Sequence, residues 1–135
     1  MAIGFFMLMV FSVFSGMVES IFFADRMQAY QLQLSQRFEA NVWLLAVPLI
    51  VAPILEEWLF RKVILSKLEK RFTFEMSNTL SALLFAAAHL DWFILPYFLN
   101  GLVYGWVMKK NDNLCSVIIL HGVYNLVVIL TFANV

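Results

Sequence analysis

The sequence predicts an all-α protein, a polytopic membrane bundle of about five transmembrane helices. Three observations lead there. Of the 135 residues, 63% are hydrophobic and 13% charged, against roughly 25% charged in an average soluble domain. Mean hydropathy is +0.86, more apolar surface than so short a chain could hide from water, so the solvent is lipid. Apolar stretches long enough to cross a bilayer recur between short polar breaks, with no strand alternation and no internal repeat.

The first stretch, about Ala2 to Phe23, is rich in Phe and Met. No Lys or Arg precedes Arg26, so the basic n-region of a secretory signal is missing and a retained transmembrane helix is expected. Ala24 to Ala40 is polar and reads as a loop or short surface helix, closing an N-terminal unit of residues 1–40. The second stretch starts near Asn41, passes Pro48 and Pro53, carries Glu56 and Glu57, and continues to about Phe72, beyond the bilayer. Ser77 or Asn78 would cap the third, which runs to about His89 or Asp91. Pro96 marks a break or the first turn of the fourth, which ends at Lys109 and Lys110. Asn111, Asp112 and Asn113 form a tight turn before the fifth, from Leu114 to about Ala133. At about 1.5 Å per residue each stretch reaches across a core of about 30 Å, the fourth only marginally.

Charge narrows the function classes. Net charge is zero and no basic stripe appears, which excludes nucleic acid as the partner. The lone Cys115 excludes a disulfide framework or a thiolate zinc cage and reads as a small buried hydrophobe. Arg61, Lys62, Lys67, Lys70 and Arg71 follow the second stretch, and Lys109 and Lys110 follow the fourth. Five crossings put both clusters on one side, the cytoplasm, with only Arg26 and Arg37 opposite. The N-terminus is then cytoplasmic, and the basic run suits anionic lipid headgroups.

Against this background two adjacent carboxylates stand out, because each ionised carboxylate at the bilayer centre costs roughly 2.5–3.5 kcal/mol on insertion scales. Counted from the cytoplasmic turns at 1.5 Å per residue, Glu56 lies about 22 Å deep, His89 about 20 Å, His121 about 12 Å and Asn125 about 18 Å. All can share one layer opening to the cytoplasmic side. Residues four apart stack on one helix face, so Glu57 faces Arg61, Phe85 faces His89, and His121 faces Asn125. Glu57 and Arg61 would neutralise each other and leave Glu56 free. A buried carboxylate can take a proton from water that an imidazole orients. A second His and an Asn amide could stabilise an oxyanion. No Ser or Cys is clearly placed as nucleophile, so hydrolysis by water is the natural chemistry.

These residues resemble the CPBP family, the CAAX proteases and bacteriocin-processing enzymes also called the Abi family. Its pattern of EExxxR, FxxxH, a glycine-spaced helix and HxxxN is matched in order by Glu56-Glu57-Trp58-Leu59-Phe60-Arg61, Phe85 to His89, Phe98 to Gly105, and His121 to Asn125. Residues 41–135 would then be the protease core. The resemblance implies an intramembrane glutamic endopeptidase, historically labelled a metalloprotease. Glu56 would be the base, His89 would position the water, His121 and Asn125 would form the oxyanion hole, and Glu57 and Arg61 would support them. Gly101 and Gly105 fit small-xxx-small helix packing.

Two His and a Glu are a permissible zinc set. HExxH is absent, however, the ligands would come from three helices, and one His is needed elsewhere, so no cofactor is expected. The expected partners are a peptide or membrane-protein substrate and the lipid bilayer, with a homo-oligomer or a partner membrane protein left open. The expected location is the bacterial cytoplasmic membrane. The alternative function is a non-catalytic bacteriocin immunity or membrane scaffold protein using the same helices to bind a partner.

Overall fold

The structure, a computed structural model, describes residues 1–26, 28–29, 32–33, 36, 41–92 and 94–133. Five helical segments make up the bundle. They are α1 (Ala2–Phe22), α2 (residues 42–68), α3 (Phe74–Ala88), α4 (Ile94–Asn111) and α5 (Leu114–Ala133). The described residues between 24 and 36 are helical and exposed. No strand occurs among the described residues. By length and composition α1, α2 and α5 can each cross a membrane. The 15 residues of α3 reach only about 22 Å, short of the expected crossing.

The winding of α2 is uneven. A 3₁₀ turn (Val42–Leu45) leads into π turns (Val47–Val51), an α stretch (Ala52–Glu57), further π turns (Trp58–Leu65) and a last α turn (Ser66–Leu68). Pro53 explains the first widening. It has no N–H to give and its ring crowds the carbonyl four residues back. The Ala52 N–H accordingly reaches five residues back, to Val47 O. The wide turns also keep the buried stripe straight. Pro53, Glu57, Arg61 and Leu65 are all buried at steps of four. With about 3.6 residues per turn such a stripe would wind off its face, and wider turns bring it back.

Helix ends follow local chemistry. Thr73 Oγ1 accepts from Met76 N at 3.4 Å and starts α3. Ser77 and Asn78, the expected caps, are instead buried inside that helix, because the capping hydroxyl occurs a turn earlier in the sequence. At the turn before α5, Asp112 takes φ 46 and its N–H closes on Met108 O at 2.8 Å. Asn113 Oδ1 then accepts from Cys115 N at 2.9 Å and from Ser116 N at 3.4 Å. Cys115 is free and exposed, not a buried hydrophobe, since it sits in the first turn of α5, above the packed part of the bundle.

Small residues set how closely the helices approach. The α3–α4 pair is the most extensively packed. A Cβ on Gly101 would lie 3.0 Å from Ala82 Cα, and one on Gly105 would collide with the Asn78 amide. Asn78 is fixed across that interface by donating Nδ2 to Leu102 O at 2.9 Å. Gly4 does the same for α1 on α4, where a Cβ would stand 2.6 Å from Val107 Cγ2. Gly105→Ala is therefore expected to cost about 1–3 kcal/mol, the range for overpacking a core. It should lower the melting temperature in detergent, whereas Gly16→Ala, with nothing within 4 Å of its Cβ position, should not.

The two ends of the bundle are distinct. Lys109 Nζ meets Glu69 Oε1 at 2.7 Å, so both basic clusters lie at one end. At the other, the Arg26 guanidinium sits 4.4 Å over the Trp92 ring. Arg37 lies outside the described residues.

Candidate active site

Glu56 and Glu57 occupy the point where α2 passes from α to π winding. Glu57 has no exposed side-chain surface, and both of its oxygens are engaged. Arg61 Nε donates to Oε2 at 2.8 Å, and His121 Nδ1 lies 2.9 Å from Oε1. The guanidinium reaches on through Nη1 to Ser81 Oγ at 3.3 Å, and Ser81 Oγ donates to Phe60 O at 3.0 Å. It also lies 5.3 Å over the Phe85 ring and 5.9 Å over Tyr104. A buried carboxylate is tolerable when charge and hydrogen bonds are supplied on this scale.

Glu56 is placed differently. Its Oε2 has no hydrogen-bond partner and stands 3.9 Å from His89 Nε2 and 3.8 Å from His121 Nε2. Both imidazoles are turned toward it from behind. His89 Nδ1 lies 2.8 Å from Phe85 O; a carbonyl only accepts, so that nitrogen carries the proton. Phe85 O is open to the ring because the His89 N–H has turned to Ala86 O at the helix end. The Glu57 carboxylate likewise fixes the proton of His121 on Nδ1. Both Nε2 atoms thus face the same carboxylate oxygen.

Aromatic packing holds them there. Tyr97 stacks on His89 with centroids 3.8 Å apart, and Tyr104 stacks on His121 at 4.6 Å. Phe85 stands edge-on to both imidazoles, at 4.7 and 6.1 Å. The Glu56 side chain keeps 28% of its surface exposed and His89 21%, while His121 keeps 6%. The cluster is thus open on the Glu56–His89 side and closed behind His121. Among the described residues no group of three or more His, Cys, Asp and Glu is arranged to hold a metal ion.

Asn125 lies one turn beyond His121 on α5, as the i, i+4 spacing requires. Its Nδ2 donates to Pro48 O, on the α2 backbone, at 2.8 Å. Gly101 and Gly105 lie in the α3–α4 interface, behind the site. Sequence reasoning missed Ser81, Tyr97, Tyr104 and Gly122. Tyr97, Gly101 and Tyr104 follow an i, i+4, i+7 pattern that puts them on one face of α4, a signal sufficient to find the two rings. Ser81 offers none.

Fold and site together define a polytopic integral membrane protein with an ionisable centre built inside its bundle. A family model described as type II CAAX prenyl endopeptidase Rce1-like matches residues 37–127, and the chain belongs to that family. It is 32% identical over 79 residues to the UPF0177 protein YxdF of Lactococcus lactis subsp. lactis (strain IL1403), covering 57% of this chain and 43% of that one. It is 35% identical over 83 residues to the membrane-embedded CAAX protease MroQ of Staphylococcus aureus (strain USA300), covering 56% of this chain and 34% of that one. The matched segment thus spans less than half the length of either curated relative. No solved structure matches.

Proposed function

We propose that this chain carries the core of an intramembrane endopeptidase that hydrolyses a peptide or a membrane-associated protein segment with activated water. The observation that carries the proposal is the unpartnered Glu56 Oε2 between two imidazole Nε2 atoms. Acceptors 3.9 Å apart are both within reach of one water placed about 2.8 Å from each. Glu56 takes one proton from that water while His89 Nε2 accepts the other hydrogen bond and aims the oxygen at the peptide carbonyl carbon. As the C–N bond breaks, Glu56 returns its proton to the leaving nitrogen.

His121 serves the oxyanion. It holds Glu57 through Nδ1 and faces Glu56 through Nε2. Protonated at Nε2, the ring becomes a donor on the reaction side, with Glu57 bonded behind it. Tyr97 and Tyr104 keep the two rings aimed. Support for the peptidase class comes from the family, one of whose relatives is named a CAAX protease. Prenylated C-terminal peptides and leader peptides of bacteriocins are the substrate classes to try. The clustering of basic residues at one end of the bundle supports a cytoplasmic N-terminus, and the bacterial relatives support the bacterial cytoplasmic membrane.

The test is cleavage by the purified chain in liposomes, with products read by mass spectrometry. His89→Ala is expected to slow cleavage about 10²–10⁴-fold, the usual contribution of a positioned acid–base group, while exhaustive chelation leaves the rate intact. Loss on chelation with recovery on adding zinc would replace the glutamate mechanism by a metal one.

A further inference from the structure

Pro53 leaves a carbonyl of the preceding turn without its donor. In α winding its missing N–H would have served Leu49 O, and in π winding Pro48 O. The neighbouring donor cannot substitute, because the Ala52 N–H is given to Val47 O. Pro48 O and Leu49 O both lie against α5. Asn125 Nδ2 donates to Pro48 O at 2.8 Å. Gly122 lies so close to Leu49 that a Cβ would stand 2.6 Å from its carbonyl oxygen, which leaves room only for a glycine Cα–H against that oxygen. Glu56 and Glu57 follow Pro53 by three and four residues on the same helix, and His121 adjoins Gly122 on the other. The registry of Glu56 with His121 is therefore supported where α5 grips the proline-broken turn of α2, beside the Glu57–His121 contact.

We propose that Asn125 is a positioning residue that acts through Pro48 and that, with Gly122, it clamps the broken turn of α2 so that Glu56 and His121 keep their registry. This deepens the peptidase reading and rests on it for its kinetic consequence, while the clamp itself is testable without activity. The amide stands in for the N–H that Pro53 lacks, and restoring that N–H should make the amide dispensable.

The experiment is a double-mutant cycle of Asn125→Ala and Pro53→Ala in the full chain, read by melting temperature in detergent and by kcat and KM in liposomes. Asn125→Ala is expected to lower the melting temperature by about 4 °C, the shift for one lost buried hydrogen bond. It should lower kcat up to about a hundredfold with KM little changed, as misplacement of reacting groups by about 1 Å does. In the Pro53→Ala background the same change is expected to cost less than half as much in both readouts. Gly122→Ala, which drives a methyl into Leu49 O, should lower the melting temperature on its own and gives a second reading if Asn125→Ala does not accumulate. Equal loss in both backgrounds overturns the clamp. Recovery of stability without recovery of kcat also overturns the positioning role, because it puts the amide at the reacting atoms. A wild-type chain that cuts nothing would remove the peptidase reading, and the stability cycle would still decide the clamp.

Discussion

Glu56→Gln is expected to abolish cleavage while the protein inserts and melts as the wild type does. The substitution keeps the shape of the side chain and removes only the proton acceptor facing the two Nε2 atoms. Because Glu56 Oε2 holds no hydrogen bond within the protein, the fold loses nothing by the change. The rate should fall at least 10²–10⁴-fold, the contribution of a positioned general base. Initial rates in liposomes, beside detergent melting curves, measure both halves. Glu57→Gln offers the contrast: it removes the charge and leaves one acceptor oxygen for Arg61 and His121, so stability and activity should drop in step. Cleavage by Glu56→Gln at more than a few per cent of wild type would transfer the base to another residue.

Arg61→Leu carries the largest expected effect on the fold. Arg61 and Glu57 both have fully buried side chains and are joined at 2.8 Å. Removing one partner of such a pair costs about 3–5 kcal/mol, because the other charge stays buried and uncompensated. The variant should fail to accumulate as a monodisperse species in fluorescence-detected gel filtration. Arg61→Lys should recover only part of the loss, since an ammonium cannot span both Glu57 Oε2 and Ser81 Oγ. The double change Glu57→Leu with Arg61→Leu should be more stable than Arg61→Leu alone, because no unpaired charge remains. A double variant less stable than Arg61→Leu would mean that packing against Phe85 and Tyr104, rather than charge balance, is what Arg61 supplies.

Much of this protein is local, and local features were legible. Lipid as solvent followed from composition, the helical breaks from Pro96 and the Asn111–Asn113 turn, and the Glu57–Arg61 pairing from i, i+4 geometry alone. The start of α3 differs from the expected one although Ser77 and Asn78 have good capping side chains. Burial against α4 has more use for them than the helix end does. The apolar neighbours of Cys115 say nothing of which side of a first turn a residue faces.

The composition and order of residues by themselves determined an all-α membrane bundle, the paired carboxylates within it, and which His and Asn could accompany them. These depend on spacing along one helix and on the cost of charge in lipid. Only the tertiary structure decided that Glu57 binds His121 as well as Arg61, that Tyr97 and Tyr104 stack on the two imidazoles, and that Asn125 holds Pro48. Each of these contacts joins different helices. Their rotation and register are fixed by close approaches at Gly101, Gly105 and Gly122 and by the widened turns around Pro53. A turn of five residues in place of four rotates every side chain beyond it, and so sets which neighbouring helices Glu56 and Glu57 meet.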